Sequence, residues 1–119
     1  MVRQDYFERL IQQLAGAIAR IAGFVADGKY EDASREIEVS YRSLGLTPAM
    51  VGRLEPATLC ALLGRGKLDA VASVLDAEAG LLRAQGRDAE AQGKSRDAED
   101  LRRAGAEPTD ASRPGNGDR

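Results

Sequence analysis

The sequence predicts an all-α fold: roughly four to six helices arranged as antiparallel hairpins, in one domain over residues 1–105, with a disordered tail over 106–119. Three observations lead there. Phe7, Ile11, Leu14, Ile18, Ile21 and Val25 follow one another at alternating steps of four and three, the spacing of one helix face. The phrase Gly28-Lys29-Tyr30-Glu31-Asp32-Ala33 is echoed by Gly93-Lys94-Ser95-Arg96-Asp97-Ala98, with Gly66-Lys67 between them, so glycines punctuate the chain like stacked helix-turn-helix units. Bulk is also concentrated at one end. The aromatics Tyr6, Phe7, Phe24, Tyr30 and Tyr41 come early, and after Leu82 the only large aliphatic side chain is Leu101. Ordering the backbone costs about 1–2 kcal/mol per residue, so order is expected to weaken toward the C-terminus.

The first helix carries its stripe beside a column of Leu10, Ala17 and Phe24, too wide for a simple two-stranded seam and suited to more than one neighbour. Ala15, Gly16, Ala19, Ala22, Gly23 and Ala26 form a small-residue side where another helix is expected to lie close. Asp27-Gly28 is the expected stop, because glycine adopts the left-handed cap conformation without steric cost. Tyr30, Ala33, Ile37, Tyr41 and Leu44 form the next stripe, closed by Gly45, and the short break makes the two helices a hairpin.

Thr47-Pro48 reads as a helix start, with the threonine oxygen as cap and proline in the first turn. Met50, Val51 and Leu54 belong to this short piece; Pro56 starts another with Leu59, Cys60, Leu62 and Leu63. Gly64-Arg65-Gly66 breaks the chain before a longer helix faced by Leu68, Val71, Ala72, Leu75, Ala79 and Leu82. Its end is expected at Gln92-Gly93, with Gly86 as a possible interruption, and Ser95 is expected to cap a last short helix holding Ala98 and Leu101. From Glu107 to Gly117 turn formers and charge replace apolar periodicity, the composition of a disordered tail.

Leu82, Gly86, Ala89, Gly93 and Ala98 resemble the spacing of a tetratricopeptide repeat, and Phe24, Gly28, Tyr30, Ala33 and Ile37 resemble a second copy. On this likeness the chain looks like a degenerate tetratricopeptide-like protein, its copies starting 65 residues apart (93 minus 28) and not at two exact repeat periods. Asp5-Tyr6, Arg9, Ile11, the Gly28-Lys29-Tyr30 turn and Leu81-Leu82 to Gly86 are also similar to a family of small bacterial helical proteins of unknown function. That likeness, over Asp5 to Gly105, implies a fold and no chemistry.

The formal net charge of -2, from 17 basic and 19 acidic residues, gives no footprint for nucleic acid or an acidic membrane. One cysteine excludes an intrachain disulfide framework and fits a reducing compartment, with cytoplasm the expectation. Leu14 to Ala26 is apolar enough to suggest a signal peptide, but Arg20 interrupts it and Asp5 and Glu8 stand where positive charge belongs. It also falls short of the about 20 apolar residues that span a bilayer.

The chain has no histidine, and Cys60 lies in an apolar run without an activating base. Gly64-Arg65-Gly66-Lys67 lacks the earlier glycine, the Ser or Thr and the preceding strand of a phosphate loop. Glu36 and Glu38, like Asp97, Glu99 and Asp100, match solvated helix faces better than acid-base pairs. No catalytic residue, cofactor or metal ligand is therefore assigned. Arg35, Tyr41 and Arg42 are the candidate partner-binding residues, the arginines for a peptide carboxylate and the ring for a partner surface. Against that stand ion pairing of the arginines with Glu31 and Glu38 and packing of the ring in the core. The expected function is a noncatalytic scaffold or adaptor that offers a helix groove to a protein or peptide. The alternative is a self-associating homodimer built through the first helix hairpin.

Overall fold

Leu10, Leu14, Ala17 and Ile21 share one side of the first helix, and burying that side organises the rest of the chain. The structure, a computed structural model, describes residues 2–53 and 55–106, with side chains from residue 6 onward. Six α-helices and no strand occur among the described residues: α1 (Val2–Ala26), α2 (Tyr30–Ser43), α3 (Pro48–Arg53), α4 (Pro56–Leu63), α5 (Arg65–Ala84) and α6 (Asp88–Ala106). Most of the expected tail, and Leu54, lie outside the described residues, and Ala106 closes α6.

Burial of Leu10, Leu14 and Ile21 contributes about 1.5–3 kcal/mol each, which outweighs about 1 kcal/mol of propensity lost at each of Gly16 and Gly23. The chain then turns at Gly28, whose φ of 74° is open to glycine with little strain. The Gly28 N–H donates to the Val25 carbonyl at 3.1 Å and the Lys29 N–H to the Phe24 carbonyl at 2.8 Å, a Schellman closure of α1. α2 returns antiparallel, burying Ala33, Ile37 and Tyr41, and Arg20 of α1 meets Glu36 of α2 at 2.7 Å.

A second Schellman closure at Gly45 (φ 83°) sends Leu44 and Leu46 inward. The Thr47 hydroxyl then accepts from the Met50 N–H at 3.2 Å, so the cap read from Thr47-Pro48 is present. α3 and α4 contribute Val51 and Leu59 to the core. α5 is the central element, with Leu68, Val71, Ala72, Val74 and Leu75 fully buried between α1, α2, α4 and α6. Gly66 lies in its first turn, where a Cβ would come within 2.8 Å of the Phe7 ring; this glycine serves close approach.

The end of the fold differs from the expectation. α5 stops at Gly86 (φ 80°), not at Gly93, and Gly93 and Ser95 lie inside a single 19-residue α6. The Gly86 N–H donates to the Arg83 carbonyl at 3.0 Å and the Arg87 N–H to the Leu82 carbonyl at 2.8 Å. Ser95 caps nothing; its hydroxyl accepts from Arg83 at 3.0 Å. α6 forms with few large side chains because Ala91 and Ala98 have no exposed surface, so their small size brings it close to α5, with Leu101 sealing the far end. Close approach replaces bulk as the source of dispersion contact.

The echo in the sequence shifts accordingly. Gly28 and Gly86, 58 residues apart (86 minus 28), hold the same turn, followed in each case by a fully buried alanine, Ala33 or Ala91. Gly66 and Gly93 do not repeat it.

Candidate docking groove between α1 and α5

α1 presents two apolar seams side by side. The inner one, Leu10, Leu14, Ala17, Ile21 and Phe24, turns inward. The outer one, Ile11, Ala15, Ile18, Ala22 and Val25, faces α5 obliquely, and between the two helices runs a groove. One section has a volume of about 560 Å³ and lies between Ile11, Ala15 and Ile18 on α1 and Asp69, Ser73 and Ala77 on α5. The next, of about 350 Å³, continues along Ala22, Val25 and Ala26 to Gly80, and the two share Ile18, Asp76 and Ala77. Since both walls advance together, α1 and α5 run parallel.

The walls differ in chemistry. α1 supplies branched aliphatics and alanines; α5 supplies small residues with carboxylates at Asp69 and Asp76. Arg102 of α6 holds Asp76 at 2.8 Å on the groove edge. No ion pair to Asp69 occurs among the described residues. The small-residue side of α1 has no covering helix among the described residues: Ala15, Ala19, Ala22, Gly23 and Ala26 are exposed, and a Cβ at Gly23 would meet nothing within 4 Å. The close neighbour expected there is absent from the described fold.

The three predicted binding residues part company. Tyr41 is 0% exposed and therefore presents no face to a partner; this corrects its assignment as a contact residue. Its hydroxyl donates to Glu78 Oε1 at 2.7 Å, and Glu78 Oε2 lies 3.8 Å from Lys94 Nζ, so a polar string joins α2, α5 and α6. Burial foremost, then the Glu78 charge and hydrogen bond, then the charge of Asp97, push the phenol well above its ordinary pKa. It is a lock within the fold.

Arg35 is exposed and pairs locally with Asp32 at 3.5 Å and Glu31 at 4.0 Å. It borders a shallow depression of about 160 Å³ with Phe24 and the 48% exposed Val39. Arg42 is exposed, and no ion pair to it occurs among the described residues, Glu38 included. Neither arginine touches the α1/α5 groove. Tyr30 is half-buried, with its hydroxyl donating to the Ala84 carbonyl at 3.3 Å, at the end of α5.

Cys60 is half-buried on α4, and among the described residues no three His, Cys, Asp or Glu side chains converge as a metal site would require. No helix of the described residues is long and apolar enough to cross a membrane. Comparisons of the chain with family models, with curated proteins and with solved structures found no match.

Proposed function

We propose that this chain is a noncatalytic protein-interaction module of tetratricopeptide-like build, whose α1/α5 groove accepts a helical segment of a protein. The observation that carries the reading is the outer seam of α1. Its steps of four, three, four and three are a heptad pattern, which a straight helix lying lengthwise can follow. The α5 wall suits such an occupant, because Ser73, Ala77 and Gly80 let a second backbone approach closely. Support for the tetratricopeptide-like build comes from the parallel course of α1 and α5 and from the matching turns at Gly28 and Gly86. The α3 and α4 excursion between the hairpins is a departure from that family's regular spacing. We place this role in the cytoplasm, in keeping with the single cysteine.

The test is a photo-crosslinking residue at Ala22, in the groove, compared with one at Glu38 on the exposed face of α2. A discrete polypeptide adduct from Ala22 and none from Glu38 is the expected outcome. No adduct from Ala22 in living cells overturns the reading.

A further inference from the structure

We infer that the helix seated in the α1/α5 groove is α1 of a second copy of this chain, antiparallel to the first and related to it by a two-fold axis near Ile18. The inference rests on the groove being a helix-docking surface and names its occupant. Ile11, Ala15, Ile18, Ala22 and Val25 form a heptad seam that is only partly covered by its own fold, and the same five residues are what such a groove requires from the incoming helix. A surface that is both donor and receptor closes as an isologous pair. Two other stretches of the chain fit less well. The outer face of α2 carries Glu31, Arg35, Glu38 and Arg42, and residues 107–119 hold one alanine and no larger aliphatic side chain.

Size and charge agree with this choice. The shared face of α1 and α5 is about 30 Å long and two helix widths, about 20 Å, across. A pair of copies then buries about 1,200 Å², the lower end of what specific stable complexes bury, so the dimer is expected to dissociate on dilution. Orientation follows from the acids. α1 and α5 run parallel, so Glu8 and Asp69 lie at the same end of the face. A parallel partner helix brings Glu8 of one copy against Asp69 of the other. An antiparallel one about Ile18 sets Glu8 opposite Gly28, where Lys29 offsets Asp27, and leaves at the centre Asp76, already paired with Arg102.

Sedimentation equilibrium on the full chain over a wide concentration range tests the pairing, with Ala22→Glu as the variant. Ala22 is exposed in the single copy, so the variant is expected to keep its helical circular dichroism while association weakens at least ~100-fold through a carboxylate buried twice by symmetry. In a Cys60→Ser background, Ala19→Cys is expected to form a disulfide-linked dimer and Ala26→Cys to form none. A wild-type monomer at every concentration overturns the inference, as does a dimer indifferent to Ala22→Glu. If a monomeric chain still crosslinks through Ala22 to a different protein, the docking groove stands and only its occupant was misassigned; without any adduct both readings fall.

Discussion

Tyr41 ties α2 to α5 through its hydroxyl, and Glu78 carries the tie on to Lys94 of α6. The hydroxyl's donation to Glu78 is charge-assisted and partly shielded from water, so Tyr41→Phe is expected to destabilise the fold by about 1.5–3 kcal/mol in chemical denaturation. The pH dependence has a definite sign. A phenol whose folded pKa lies above its unfolded value of about 10 binds its proton more tightly in the folded state. Its contribution is full below about pH 10 and falls as pH rises beyond it, because the unfolded chain then releases a proton the folded chain retains. Wild type is expected to lose stability above that pH more steeply than Tyr41→Phe, and equal slopes would count against the buried hydrogen bond. The sequence placed Tyr41 on the apolar stripe of α2 correctly. It held no sign of Glu78, 37 residues later, as the partner that makes the hydroxyl internal.

At the scale of elements, the two late glycines separate cleanly. Gly86 sits at positive φ, where an L side chain is strained by about 1–2 kcal/mol, so Gly86→Ala is expected to destabilise by about that amount. Gly93 is inside α6 with open space where its Cβ would be, so Gly93→Ala is expected to stabilise by about 0.5–1 kcal/mol. Thermal melts of both variants check the pair of signs. Where the stripes carry Leu, Ile and aromatic side chains, as in α1 and α2, the ends at Gly28 and Gly45 were legible from periodicity and turn chemistry. In the last third the apolar face is mostly alanine and the two glycines stand seven residues apart, so one register looks much like the other. Tertiary contact decides: the Leu82 carbonyl takes the Arg87 N–H, and Ala91 buries with Ala79 and Leu82.

For the whole molecule, α5 is the common neighbour of the other long helices, which makes it the most sensitive element. Leu75→Ala, at a fully buried position, is expected to cost about 2–5 kcal/mol. The exposed Ala22→Glu is expected to spare the fold and act on association alone. This contrast separates the core from the groove. The small residues on one side of α1 were legible in the sequence, but the close helix expected against them is absent from the described fold, because one chain's periodicity identifies an apolar face without identifying what covers it. Under the docking proposal that cover is another helix, in particular α1 of a second copy.

Docking in the groove is read out most directly by an environment-sensitive dye on Ala26→Cys in the Cys60→Ser background, at the end of the groove, with its emission followed as unlabelled chain is added. A saturable blue shift is expected, and Ala22→Glu in both the labelled and the added chain is expected to abolish it. Emission that stays at its solvent-exposed value throughout the titration and in cell extract would contradict docking there.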